Sequence, residues 1–109
     1  MTVKQLCENS SFSALTLPSP DREINGVYIG DLLSWVMGRA SEDNAWITIM
    51  SNTNVIAVAT LTDVSCVILA EGVTLDPEVL ATAEAKGINV LVSDKSAYEA
   101  AHELWTLGS

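Results

Sequence analysis

Basic residues are scarce in this sequence. Five lysines and arginines stand against fourteen aspartates and glutamates, for a formal net charge of −9 at pH 7. Non-specific binding to nucleic acid depends on basic side chains that neutralise phosphates, so this balance argues against a nucleic-acid partner. It also argues against docking on an anionic membrane. The acidic residues are scattered rather than gathered in a tail, which favours a role in solubility.

Cysteine and histidine are also rare, with Cys7, Cys66 and His102 as the full set. The cysteines form no C-x-x-C pair and have no histidine neighbour, and no acidic spacing matches a calcium loop. Cys66 lies in the apolar run CVILA and is expected to be a core thiol. His102 falls beside Glu99 and Glu103 on a predicted helix, where a solvated side chain is expected. We therefore predict no metal site and no cofactor.

The common catalytic motifs are absent as well. The chain has no G-x-x-x-x-G-K-[ST] phosphate loop and no G-x-G-x-x-G dinucleotide fingerprint. Ser34 lacks the flanking glycines of a nucleophile elbow. Acid–base chemistry needs convergent titratable groups, whereas the sequence offers scattered carboxylates, Tyr28 near a loop and an isolated His102. We predict no catalytic residues and no enzymatic activity, and a small enzyme ranks last among the candidate functions.

Long apolar runs are missing too. The N-terminal stretch MTVKQLCENSS has no apolar core of a signal peptide, and no run approaches the roughly 18 residues that a membrane helix needs. These observations favour a soluble, cytoplasmic protein with reduced thiols and no membrane partner.

Apolar residues are plentiful, at 49% of the 109 residues, while charged residues make up only 17%. One explanation is a surface for self-association, because small monomers rarely leave large apolar patches in water. The other is a sheet covered on both faces, which also consumes many apolar residues.

The first half of the chain predicts short elements. Residues 2–9 suit a short helix, and FSALTL alternates as a strand does. The prolines of PSPDRE indicate a loop or a sheet edge. INGVYI suits a strand in which Asn25-Gly26 forms a hairpin turn or a bulge. A helix is then expected to begin at Asp31 and to stop at Gly38.

The second half predicts alternating strands and helices. AWITIM, CVILA and INVLV suit strands, and a helix from Pro77 to Gly87 follows the second of them. Residues 53–62 are ambiguous: their β-branched content favours a strand, but a helix would complete a β-α-β unit, and we favour the helix. Ser96 and Glu99 have the spacing of a capping box. The inward positions of this last helix are predicted to be Ala97, Ala100, Ala101, Leu104 and Trp105. Residues 1–109 thus predict a single small three-layer α/β domain with a central, mostly parallel, mixed sheet.

The carboxyl ends of the predicted strands are the expected ligand site, because open α/β sheets bind ligands there. The candidate ligand-binding residues, all small, polar or glycine, are Gly30, Asp31, Ser51, Asn52, Asn54, Gly72 and Ser93. The alternative is that these residues only form turns, for which the same residue types are preferred.

The stretch GVYIGDLLSWVM, with AWIT, NVIAVA and KGINVLVS further on, resembles the DRTGG domain, which is similar to the N-terminal domain of bacterial HPr kinase/phosphorylase. The resemblance runs from about Asp21 to Leu104. The family often has Gly-Gly or Thr-Gly where this chain has Asn25-Gly26. The resemblance implies a small α/β domain like those of HPr kinase and the Mur ligases, with a helix at VIAVATLT. It implies a regulatory or assembly module, often dimeric, for which the family has no established catalytic residues. It does not imply kinase activity.

Two functional hypotheses follow from these observations. The first is a non-catalytic regulatory or assembly module that forms a homodimer, with Trp35 or Trp105 in the subunit interface because aromatic residues are favoured there. The alternative is a sensor of a small ligand, a nucleotide or a phosphorylated metabolite, that binds at the strand-end loops. The sequence identifies neither a protein partner nor a ligand.

Overall fold

Residues 1–108, the part of the chain that the computed structural model describes, form five helices and five strands. The helices are α1 (Val3–Asn9), α2 (Leu33–Arg39), α3 (Asn54–Thr62), α4 (Pro77–Ala85) and α5 (Ala97–Gly108). The strands are β1 (Ser13–Thr16), β2 (Gly26–Ile29), β3 (Asn44–Thr48), β4 (Cys66–Leu69) and β5 (Val90–Val92). None of the helices in this range is long and apolar enough to cross a membrane.

The strands form one mixed sheet in the order β1-β5-β4-β3-β2. Strands β2 to β5 run parallel, and β1 joins β5 antiparallel. The predicted α/β domain with a mostly parallel sheet is therefore confirmed. Because β1 and β2 lie at the two ends of this order, they are the edge strands.

Helices cover both faces of the sheet, but not equally. On one face α2, α3 and α4 enclose a core that includes the fully buried Trp46. On the other face α1 and α5 pack over Ala45 and Ile47. Two helices do not span five strands, so this second face stays bare over β2. Val27 and Ile29, which pair with Ala45 and Ile47 in the parallel register, are 43% and 48% exposed.

Residues 54–62 form helix α3, as the β-α-β pattern predicted and against their β propensity. Parallel neighbours cannot be joined by a tight turn, so the link from β3 to β4 has to cross over one face of the sheet. The β-branched side chains of Val55, Ile56 and Val58 are buried by that crossover. Packing of this face outweighs the small intrinsic preference for a strand.

The predictions for the last two helices are largely confirmed. Pro77 lies in the first turn of α4, and Gly87, at φ +75°, follows the end of that helix. The capping box of α5 is present. The Glu99 amide donates to Ser96 Oγ (3.2 Å), and the Ser96 amide donates to Glu99 Oε1 (3.2 Å). The Ser96 amide and the Ser96 hydroxyl both donate to Glu99 Oε1, and these two bonds hold the pKa of the Glu99 carboxyl below its ordinary value.

Three details differ from the predictions. Asn25-Gly26 is neither a hairpin turn nor a bulge, because Gly26 begins β2 and pairs in regular parallel register with Asn44. Helix α2 begins at Leu33 rather than Asp31, because the Asp31 carboxylate bonds to β3 instead of capping the helix. Trp105 is 75% exposed, whereas the other predicted inward positions are buried or half-buried. It lies at the margin of the apolar stripe of this helix.

Candidate functional site

The seven residues predicted to bind a ligand all lie along the side of the sheet where the parallel strands have their carboxyl ends. Each of the four parallel strands contributes residues just beyond its carboxyl end, and parallel strands place those ends side by side. By strand, the residues are Gly30 and Asp31 after β2, Ser51, Asn52 and Asn54 after β3, Gly72 after β4, and Ser93 after β5.

Asp31 fastens two of these strand ends together. Its Oδ1 accepts a hydrogen bond from Thr48 Oγ1 (2.8 Å) and another from the Ile49 amide (2.9 Å). Both donors belong to the end of β3 and the residue after it. The carboxylate therefore closes the gap between β2 and β3 and is already engaged within the fold.

The other polar candidates also close turns. Asn52 Oδ1 accepts from the Asn54 amide (2.9 Å), which leads the chain into α3. Ser93 is buried, and its Oγ accepts from the Lys95 amide (3.1 Å), while its carbonyl accepts from the Gly72 amide (2.9 Å). Gly72 has a φ of +72°, a backbone conformation that favours glycine. Their geometry is that of well-formed turns.

The charge around the carboxyl ends of the strands is mainly negative. Asp31, Glu71 and Asp94 follow the ends of β2, β4 and β5. Lys95 is the nearby cation, and its Nζ is paired with Glu103 Oε1 at 3.0 Å. A polyphosphate at these strand ends would therefore face like charge.

The two glycines that bracket β2 are explained by packing. A Cβ on Gly30 would lie 2.8 Å from Cε2 of the Tyr28 ring, and the Gly30 carbonyl accepts from Trp46 Nε1 (2.9 Å). A Cβ on Gly26 would lie 3.1 Å from Asn44 Nδ2. Neither glycine has a positive φ. What both positions require is space.

A recess lies elsewhere, between α5 and the bare face of β2. This α5–β2 groove has a volume of about 630 Å³ and includes Val27, Ile29, Tyr98 and Trp105 in its lining. Tyr98 and Trp105 are 78% and 75% exposed. Among the described residues that line it, none is Asp, Glu, Lys or Arg, and none is one of the seven predicted ligand residues. The high apolar fraction of the sequence indicated that an apolar surface could be exposed. It could not show where that surface lies, because the location depends on strand order.

Helix α5, which forms one wall of the groove, is fixed to the body of the domain by Glu103. That carboxylate accepts from the Ser11 amide (2.8 Å), from Ser11 Oγ (2.7 Å) and from Lys95 Nζ (3.0 Å). Partial burial acts to raise the pKa of Glu103, but the bonds from Ser11 and Lys95 outweigh it. The net result is a pKa below the ordinary value. At physiological pH, helix α5 is thus held in place by an ionised Glu103 carboxylate.

The two tryptophans predicted for an interface lie on different surfaces. Trp105 lines the α5–β2 groove. Trp35 lies on α2, over the opposite face of the sheet, and is 54% exposed. The guanidinium carbon of Arg39 lies 4.0 Å from the centroid of its ring, a cation–π contact that partly covers it.

Within residues 1–108 no group of three or more His, Cys, Asp and Glu side chains could hold a metal ion. Cys66 is buried, and burial raises the pKa of its thiol far above the ordinary value. His102 is exposed on α5, as predicted, with its ring stacked 6.4 Å from that of Tyr98.

Comparison with known proteins agrees with the fold and with the resemblance noted in the sequence. No curated protein matches the chain. A solved structure with similar fold contains the CBS and DRTGG domains of the regulatory region of Clostridium perfringens pyrophosphatase, complexed with its activator, diadenosine tetraphosphate. The TM-score is 0.74 at 16% identity, over 94% of this chain but only 45% of that one. The sequence model of the DRTGG domain matches residues 18–107. The chain therefore belongs to the DRTGG domain family.

Proposed function

We propose that this protein is a non-catalytic regulatory module that acts as a homodimer, with the α5–β2 groove in the subunit interface. The observation that carries the proposal is the composition of that surface. In a chain of net charge −9, the groove is lined mostly by apolar and aromatic side chains, with Asn25 and His102 as its polar side chains and no Asp, Glu, Lys or Arg. Met1 also lines it, and its terminal ammonium is paired with Glu23. Depletion of charge together with enrichment in aromatic residues is typical of interface cores.

The size of the exposed apolar surface supports the same proposal. Tyr98 and Trp105 are about three-quarters exposed. Since a buried aromatic side chain covers about 150–250 Å², these two rings leave roughly 300 Å² in water. A standard interface buries about 800 Å² on each partner. Val27 and Ile29 add to the same patch, so a large part of such an interface is already present.

The non-catalytic part of the proposal rests on how the polar groups are used. Asp31 and Glu103 each hold one segment of the fold against another, and the Ser93 hydroxyl closes a turn. The similar domain in the pyrophosphatase belongs to a regulatory region, which is the role that we propose for this chain. Both cysteines are free thiols, and we propose that the protein works in the cytoplasm, where they stay reduced.

Substitution of Ile29 tests the homodimer. Ile29→Glu places a charge in the proposed interface, so the dissociation constant is expected to rise at least tenfold, because desolvating an unpaired charge is costly. Leu61→Glu is the matched control. Leu61 is 66% exposed on α3, away from the groove, and the substitution changes net charge equally. Light scattering during size-exclusion chromatography gives both masses. Equal weakening of the two variants, or of neither, would contradict the proposal.

A second candidate function is a sensor of a small ligand at the strand-end loops. Two observations favour it: the seven candidate residues lie along the same side of the sheet, and the similar pyrophosphatase region is complexed with a nucleotide. Diadenosine tetraphosphate is thus the first probe, and binding would raise the melting temperature by mass action. Asn52→Ala should reduce the shift, whereas Asn9→Ala, remote on α1, should not. No shift with this probe or with a panel of nucleotides and phosphorylated metabolites would count against the sensor.

A further inference from the structure

The two edges of the sheet differ in how they are protected. Edge strands expose unpaired backbone groups, and proteins usually protect them with bulges, prolines or charges. β1 has an irregular register between Ala14 and Thr16, and Pro18 and Pro20 follow it. β2 has a regular register over all four residues and contains neither proline nor charge. Its sequence, GVYI, would be an aggregation hazard if it faced only water.

Two residues of β2 have backbone N–H and C=O groups that are directed away from β3, within the plane of the sheet. The Gly30 amide donates to the Ile47 carbonyl of β3 (3.1 Å). Along a parallel strand, alternate residues direct both backbone groups to the same side. The backbone N–H and C=O groups of Tyr28 therefore point toward β3. Those of Val27 and Ile29 point away from β3, toward the open side of the strand. The side chains of these same two residues lie on the bare face of the sheet.

We propose that β2 pairs antiparallel with β2 of a second copy, around a two-fold axis at Tyr28. This inference rests on the proposed homodimer and specifies its geometry. Val27 lies opposite Ile29 of the second copy, and Tyr28 lies opposite its own counterpart. The two five-stranded sheets then join as one sheet of ten strands.

The register follows from the backbone and from the sequence together. In this alignment Val27 of one copy and Ile29 of the other form a hydrogen-bonded pair. The N–H and C=O groups of each residue then bond to those of the residue opposite. The sequence from Gly26 to Gly30 is nearly symmetrical about Tyr28. β-Branched Val and Ile therefore face each other, which is a favourable cross-strand pair. Gly26 meets Gly30 of the second copy, and neither of these two residues has a side chain.

The same geometry accounts for the α5–β2 groove. In a joined sheet the bare strips of both copies become neighbours, and the two α5 helices flank them. α5 packs over β3, so its counterpart lies three strand spacings away, about 14 Å. Helices in direct contact are about 8–10 Å apart. Exposed Tyr98 and Trp105 are of the size that fills the remaining gap.

Engineered cysteines test the register. Val27→Cys and Ile29→Cys are made separately in a Cys7→Ser background, while the buried Cys66 is kept. Opposite residues in the register are about 5.5 Å apart at Cα, within the range of a disulfide. Identical residues are offset by two positions along the strand and lie roughly 9 Å apart, beyond that range. Mild oxidation of the two variants mixed should give a cross-linked dimer, and each variant alone should give little.

The outcomes separate this inference from the proposed function. Cross-linking that is strong in the mixture and weak in each single variant supports the β2 pairing. If the unmodified protein is a dimer but cross-linking is absent, or is as strong in single variants, the pairing is overturned and the homodimer stands. If the unmodified protein is a monomer at the highest attainable concentration, both are overturned. In that case the β2 edge would be open to a strand of another protein.

Discussion

Gly30 and Tyr28 show how one side chain can dictate a neighbouring residue. The glycine has an ordinary φ, and its requirement comes from the Tyr28 ring that occupies the space of a Cβ. The ring packs on the core formed with α2, α3 and α4 and cannot move freely. The sequence could not show which side chain fills the space beside Gly30, because that depends on the fold.

Substitution of Gly30 by alanine is expected to lower the free energy of unfolding by about 1–3 kcal/mol, the usual cost of overpacking. The matched control is Gly38→Ala in α2, where a Cβ would meet nothing within 4 Å. Because alanine is the better helix former, this change should instead stabilise the protein by about 0.5–1 kcal/mol. Urea unfolding measures both. A Gly30→Ala variant as stable as the parent would contradict the role given to the Tyr28 ring.

The two thiols should differ in reactivity. Burial raises the pKa of both, since the thiolate is disfavoured away from water, and the nearby Glu8 charge adds to the effect at Cys7. Cys66 is fully buried, whereas Cys7 is partly accessible. A thiol reagent at pH 8 should therefore modify Cys7 slowly and Cys66 only after unfolding. Mass spectrometry after timed quenching identifies the site, and rapid labelling of Cys66 in the folded protein would be the contrary result.

Among the elements, α3 and α5 show what the sequence could predict. For α3 the order of neighbouring apolar runs outweighed propensity, because a crossover had to lie between parallel strands. For α5 the local capping box was enough to place its start. The prediction that Trp105 faces inward was wrong, because this residue lies on the outer margin of α5 and is exposed. Helical periodicity gives the direction of a side chain, but not how far the neighbouring sheet extends under it.

The attachment of α5 should depend on pH through Glu103. A carboxyl whose pKa is lower in the folded state stabilises the fold above its unfolded pKa, and this contribution disappears as pH falls through the folded pKa. Glu103→Gln should therefore cost about 1–2 kcal/mol at pH 7, and the difference from the parent should shrink below about pH 4.5. Unfolding at pH 7 and pH 3 measures it. An equal deficit at both values would show that the charge is not the cause.

At the scale of the whole molecule, the acidic charge and the apolar surface act in opposite directions. Two copies at −9 each repel, while the α5–β2 groove and the β2 edge, which lack Asp, Glu, Lys and Arg, favour association. Strand order could not be inferred from the sequence, because it is set by which strands each crossover joins. For that reason neither β2 as an edge strand nor the groove beside it was predicted, although the apolar excess indicated self-association.

Salt should strengthen the proposed dimer. Screening weakens the repulsion between two acidic copies, while burial of apolar surface is little affected. We expect the dissociation constant to fall several-fold between low and physiological ionic strength, as measured by fluorescence anisotropy of a labelled copy. An interface built from ion pairs would show the opposite trend.

Sedimentation equilibrium of the unmodified protein tests the central claim most directly. The monomer has a mass of 11.6 kDa. We expect the weight-average mass to rise with concentration to a plateau at twice that value, about 23 kDa, and to go no higher, because a two-fold interface closes on itself. A mass that stays at 11.6 kDa over the whole range would contradict it.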